Sequence, residues 1–232
     1  MRRFVISSLL VTVFAPAVLA GGLGGDRSDD VKRLRRARDV FSEVMGTPDK
    51  GIPVELLDKA ECVAIVPGMS KGGLGLGGRY GKGVVMCRQS GGRWSPPSFL
   101  TVEGGSFGLQ LGFERVDLIM LIMNRRGMDQ LIGDKFTVGA DASAAAGPVG
   151  RHTSAETNIR MDAQILTYSR AKGLFGGMAL DGAVVKQDRT DNRDFYGKDT
   201  DARDILLDGK VEMPAEAVPL ARALSRQSPT KD

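Results

Sequence analysis

Gly72-Gly73-Leu74-Gly75-Leu76-Gly77-Gly78-Arg79-Tyr80-Gly81-Lys82-Gly83-Val84-Val85-Met86-Cys87 sets glycines and larger residues in near alternation, and the reading of this stretch decides the fold. A period of two is the signature of a strand. Glycine along one face of a strand marks a sharp bend or the close approach of another backbone or side chain. Just upstream, Cys62-Val63-Ala64-Ile65-Val66 reads as a buried strand stopped by Pro67-Gly68. Downstream, Gly91-Gly92 supplies a hairpin turn, and Arg93-Trp94 starts a return that Pro96-Pro97 breaks.

The same texture continues outward. Ser106 to Phe113 alternates Phe107, Leu109, Leu111 and Phe113 against Gly108, Gln110 and Gly112, which predicts a half-buried strand. Val116 to Met123 is apolar enough for a central strand, and Arg125 to Ile132 predicts a short helix. Phe136 to Ala144 predicts another strand, with further ones over Thr157 to Tyr168 and Leu174 to Lys186. The remainder from Asp188 reads as helix and loop, ending in a helix near Ala215 to Ser225. Six or seven glycine-rich strands between helical ends predict an α+β domain: a strongly bent, mainly antiparallel sheet or partial barrel flanked by N- and C-terminal helices. The strands are not separated by long helices, which disfavours a doubly wound α/β fold.

Several motifs tempt and fail on structural context. Gly73 to Gly78 satisfies G-x-G-x-x-G, but a dinucleotide site needs those glycines to open a helix, and here a strand follows. Gly104-Gly105-Ser106-Phe107-Gly108 satisfies G-x-S-x-G, with the single histidine, His152, downstream. A serine hydrolase using Ser106 and His152 is the sharpest enzyme reading. The nucleophile elbow, however, is a strand-to-helix turn, and Ser106 falls inside a predicted strand. No Cys or His pair has zinc-ligand spacing, so neither metal nor other cofactor is expected. The pairs Asp199 with Asp201 and Asp188 with Asp191 read as solvated loop carboxylates.

At the start of the chain, Arg2 and Arg3 precede an apolar run from Phe4 to Val13 that ends in Ala17-Val18-Leu19-Ala20. This predicts a secretory signal peptide over residues 1–20, cleaved near Ala20; an uncleaved anchor helix is the alternative. The expected product is periplasmic or secreted, with peripheral membrane association. Of 32 basic and 28 acidic residues, cleavage removes two arginines, leaving a formal charge of +2. So slight an excess argues against nucleic acid as a partner. A Gly-rich linker over 21–28, one domain over 29–226 and a polar tail over 227–232 complete the organisation. Cys62 and Cys87 are a disulfide candidate in an oxidising compartment, the alternative being two buried thiols on neighbouring strands.

Ser28 reads as the N-cap of a helix from Asp29 to Met45. Val31, Leu34, Phe41, Val44 and Met45 form one apolar stripe, flanked by Lys32, Arg33, Arg35, Arg36 and Arg38. Such a helix either lies in an anionic membrane surface or packs its stripe on the core and leaves its arginines solvated. Gly46 stops it, and Pro53 opens a short second helix through Leu56, Leu57 and Lys59.

Val63 to Gly68, Lys71-Gly72-Gly73 through Gly83, Trp94 to Pro97, Gly108 to Gly112, Asp117-Leu118, Gly139 to Ser143, Ala146 to Arg151, Tyr168-Ser169-Arg170, Lys172 to Gly177 and Phe195-Tyr196-Gly197 together resemble the SYLF domain family. The resemblance covers roughly Asp30 to Leu207. It implies lipid binding, with an N-terminal amphipathic helix in membrane contact and, in some fungal members, actin binding. It brings no catalytic residues. A signal peptide would keep this chain from actin, so the expected partner is an anionic phospholipid surface, touched by Lys32, Arg33, Arg35, Arg36 and Arg38. The glycine-rich strands either relieve crowding in a curved sheet or form a headgroup cleft with Lys71, Arg79 and Lys82. Arg151 either lines that cleft or pairs with a carboxylate such as Asp141. The expected function is therefore non-enzymatic lipid binding in a bacterial envelope; an envelope protein–protein interaction module is the alternative.

Overall fold

A computed structural model describes residues 27–47, 51–74, 76–107, 112–150 and 163–228. The leader, the linker to residue 26, His152 and Arg151 lie outside the described residues.

β1 (Cys62–Leu74) and β2 (Leu76–Cys87) form a long hairpin at the centre of the sheet, flanked by β3 (Ser98–Phe107) on β2 and by β4 (Gly112–Ile122) on β1. Around them lie β5 (Lys135–Thr137), β6 (Ala144–Ala146), β7 (Ile165–Ala171), β8 (Leu174–Gly177) and β9 (Val184–Gln187). The spatial order is β5-β9-β3-β2-β1-β4-β7-β6, with β8 on β7, and every pair is antiparallel except β6 with β7. The sheet curls into a half-barrel, as its glycines predict. The six described helices are α1 (Arg27–Met45), α2 (Val54–Lys59), α3 (Arg125–Ile132), α4 (Arg189–Tyr196), α5 (Ala202–Leu206) and α6 (Val218–Gln227).

The continuous apolar run in β1 is explained by burial of both faces. Val63 and Ile65 pack under Leu34, Phe41, Leu57 and Leu224 on the helical side, whereas Cys62, Ala64 and Val66 join Leu131, Phe136 and Ile205 inside the curl. Curvature is set where side chains would collide. A Cβ at Gly83 would lie 2.6 Å from the Ile65 carbonyl oxygen and 2.7 Å from Val66, and one at Gly81 would lie 2.6 Å from Val66. Pro67-Gly68 makes a β-bulge in β1 against β4, with Gly68 in the left-handed region at φ +61°. The Gly68 N–H donates to Asp117 Oδ1 at 2.8 Å, closing the bulge onto β4.

Cys62 and Cys87 sit opposite one another on β1 and β2 and are disulfide-bonded. Three expected strands differ. The alternation from Ser106 to Phe113 is divided between the end of β3 and the start of β4, which lie on opposite sides of the β1–β2 hairpin, and residues 108–111 are outside the described residues. Phe136 to Ala144 is two short strands separated at Gly139, whose φ of +87° no extended run accommodates. Leu174 to Lys186 likewise divides into β8 and β9. The first helix begins at Arg27, so Ser28 lies within it and is not its N-cap.

Candidate functional site

α1 crosses the sheet at the level of the β1 bulge and is held at both ends by charge. Near its start, Asp30 is fully buried and lies 3.2 Å from Arg33, which donates to Asp191 Oδ2 at 2.7 Å. Lys82 of β2 reaches Asp188 and Asp191, each at 2.8 Å. Asp188 also caps α4 by accepting from the Asp191 N–H at 3.1 Å. Burial, then the neighbouring Asp191, raises the Asp30 carboxyl to about 7. Burial also works against the Asp191 carboxylate, but hydrogen bonds from Lys82 and Arg33 outweigh it and hold the group below its ordinary range. Near the far end, Glu43 pairs with Arg170, which donates two bonds to Asp117 Oδ2 at 2.8 and 3.0 Å. Asp117 is the carboxylate that closes the bulge.

These clamps correct the sequence reading. Asp188 and Asp191 are not solvated loop residues: Asp191 is 0% exposed, because two cations from α1 and β2 converge on it. The stripe of α1 is also not free for a membrane. Leu34, Val40, Phe41 and Val44 are buried against the sheet, α2 and α6, with Ala37 completing the seam.

The eight expected lipid contacts do not assemble into one site. Lys32, Arg33, Arg36 and Lys82 border a cleft of about 460 Å³ with Pro67, Ser70 and Tyr80. Within it Arg33 and Lys82 are committed to the ion cluster, while Lys32 pairs only with exposed Asp29 at 2.8 Å. Arg35 and Arg38 lie on the opposite flank of α1, facing α6. There Arg38, Arg222 and Arg226 border a groove of about 700 Å³ with Ser42, Pro219 and Ser225. The expected cleft of Lys71, Arg79 and Lys82 does not form. Arg79 and Lys82 are three residues apart in an unbroken strand, so their side chains leave opposite faces. Arg79 instead donates to the Gly105 carbonyl at 3.3 Å, and burial lowers its proton affinity. Asp141, offered as a partner for Arg151, accepts from the Thr137 N–H at 2.7 Å.

Ser106 lies in β3 opposite Gly77 of β2, in a strand and not at a strand-to-helix turn. The residues that sequence reasoning missed are Arg222 and Arg226, Tyr80 and Arg115, and the buried Asp30 and Asp191. Arg222 and Arg226 are four apart on a helix, so their common face could have been read; their meeting with α1 is tertiary.

A charged helix is thus strapped over a curled sheet, and comparison with known proteins shows the family that shares this chain's sequence. Residues 103–227 match the model of the family described as Ysc84, Las17-binding protein actin regulator. SH3 domain-containing YSC84-like protein 1 of Bos taurus is 33% identical over 198 residues, covering 84% of this chain and 58% of that protein. Its Xenopus laevis counterpart is 34% identical over 178 residues, covering 76% and 53%. LAS seventeen-binding protein 3 of Saccharomyces cerevisiae is 31% identical over 190 residues, covering 81% and 41%. The chain thus spans little more than half the length of the first of these relatives, and less of the yeast protein. It belongs to the Ysc84-like, or SYLF, domain family.

Proposed function

We propose that this protein is a non-enzymatic, exported, peripheral lipid-binding protein whose cationic helical face rests on anionic phospholipid headgroups of a bacterial envelope. The observation that carries the reading is the outer surface of α1 and α6. Arg35, Arg36, Arg222 and Arg226 are exposed there, and none is held in an ion pair among the described residues. Lys32 and Arg38 add two cations whose only ion-pair partners among the described residues, Asp29 and Asp39, are themselves exposed. Exposed pairs of that kind are worth less than about 1 kcal/mol, so they yield readily to a lipid phosphate. Because the apolar stripe is sealed, contact is electrostatic and superficial.

Each cation near an anionic leaflet contributes about 1 kcal/mol. Replacing Arg35, Arg36, Arg222 and Arg226 with Ala therefore removes about 4 kcal/mol, close to three decades of affinity. The test is co-sedimentation with phosphatidylcholine vesicles containing or lacking phosphatidylglycerol, at low and high salt. Charge-dependent binding by the wild type and its loss in the fourfold variant are expected; binding indifferent to lipid charge overturns the reading. Arg33 is left intact, since its loss tests folding. A second reading, a protein partner, is favoured by the names of the family and of its yeast relative, which describe binding of Las17. It predicts saturable capture of a protein by a surface that ignores vesicles.

A further inference from the structure

Beyond α1, the four central strands continue as an extension of the sheet that is bare among the described residues. On the side that carries the helix, its residues fall in rows across the strands. The first row is Glu103, Tyr80, Ser70 and Arg115; the next is Gly105, Gly78, Gly72 and Phe113. The second row is three glycines ending in an aromatic ring that is 95% exposed.

Two of these glycines differ from those that curve the sheet. A Cβ at Gly105 would meet nothing within 4 Å, and one at Gly78 would meet only the Gly104 carbonyl oxygen, at 3.9 Å. Neither has a left-handed φ. Packing does not require glycine here and neither does the backbone, although glycine weakens a strand relative to almost any other residue. What the missing side chains leave is an open shelf. Tyr80, 51% exposed, and Phe113 border it with apolar surface. Arg115 on the shelf's inner row and Lys32 and Arg36 on the adjoining flank of α1 border it with positive charge.

We propose that this shelf seats one anionic phospholipid molecule, a deeper version of the function above that rests on it. The phosphate lies among Lys32, Arg36 and Arg115, where two guanidinium forks suit its oxygens. The glycerol and upper acyl carbons lie on the flat glycine row between Tyr80 and Phe113. Charge complementarity selects the occupant: Glu103, the acid in the inner row, is neutralised by Lys186 at 2.7 Å, and Lys32, Arg36 and Arg115 outnumber Asp29 on the helix flank.

The test fills the shelf. Gly78→Gln and Gly105→Gln add bulk without charge or a hydrophobic anchor, and the space above both positions leaves the fold intact. With a full-length protein of unchanged Tm, binding of dihexanoylphosphatidylglycerol below its micelle concentration is expected to weaken at least tenfold by titration calorimetry. Phe113→Ala, at a position that supports no packing, is expected to weaken it at least threefold. Glycerol 3-phosphate, which offers the phosphate alone, is expected to bind at least tenfold more weakly than the lipid to the wild type. If both Gln variants and the Phe113 variant bind the lipid as the wild type does, the shelf is overturned; vesicle binding that still depends on the four arginines would leave the broader reading standing. Equal affinity for glycerol 3-phosphate and lipid overturns the apolar half of the seat. Failure of the wild type to bind either the lipid or charged vesicles overturns both.

Discussion

Arg33 on the first helix and Asp191 on the fourth meet at 2.7 Å across 158 residues of sequence, with the Asp191 side chain fully buried. Removing Arg33 leaves Asp191 to Lys82 alone and strips the cation from beside buried Asp30, and breaking a buried ion pair from one side costs about 3 to 5 kcal/mol. Arg33→Ala is expected to lose that much in urea denaturation, whereas Arg35→Ala, two positions along and exposed, is expected to change stability by less than about 0.5 kcal/mol.

The cluster also makes stability depend on pH in a stated direction. Asp30 ionises near 7 in the folded chain and near 3.8 when unfolded. Its contribution is fully present below about pH 4 and is lost as pH rises toward 7, with a slope of at most about 1.4 kcal/mol per pH unit for one proton. Asp191, lowered by Lys82 and Arg33, contributes in the opposite sense: its share is present above its unfolded value and lost as pH falls through the folded one. Denaturation measured from pH 4 to 8 in the wild type and in Asp30→Asn should show the falling component vanish in the variant, the opposing groups Arg33, Lys82, Asp188 and Asp191 being retained.

The Cys62–Cys87 bond closes a 25-residue separation between neighbouring strands. Loop entropy assigns it about 3.5 kcal/mol. At roughly 2 to 4 °C per kcal/mol for a chain of this size, the paired Cys62→Ala and Cys87→Ala variant should melt about 7 to 14 °C lower by calorimetry. The same variant should bind anionic vesicles normally below its melting point.

Glycines at alternate positions should respond oppositely. Gly83→Ala places a methyl 2.6 Å from the Ile65 carbonyl oxygen and should destabilise by about 1 to 3 kcal/mol. Gly105→Ala meets open space and should be neutral or stabilising by up to about 1 kcal/mol. Chemical denaturation of the two single variants checks this contrast.

Much of the fold was legible because local period reports it directly. The glycine alternation, the two-sided apolar runs of β1 and β4, and the helices at Arg125 and Val218 all carry their pattern in adjacent residues. What escaped notice was tertiary. Asp191 sits in a polar segment, and its burial follows from Arg33 and Lys82 arriving from distant parts of the chain. That Phe107 and Phe113 belong to two strands, set apart in the sheet by β2 and β1, was hidden because both strands carry the same alternation. The face error at Arg79 and Lys82 was avoidable, since an odd spacing in a strand separates side chains. That Arg222 and Arg226 border the α1 groove depends on the packing of the first helix against the last.

The clamps on α1 have one more implication, for the order of events during biosynthesis. Residues 27–45 leave the ribosome well before several groups that hold them: Arg170, Asp191 and the α6 leucines, Leu220 and Leu224. Leu57, Val63 and Ile65 can cover part of the helix's apolar stripe early, but the clamps at Arg33 and Glu43 and the seam with α6 wait for more than a hundred further residues.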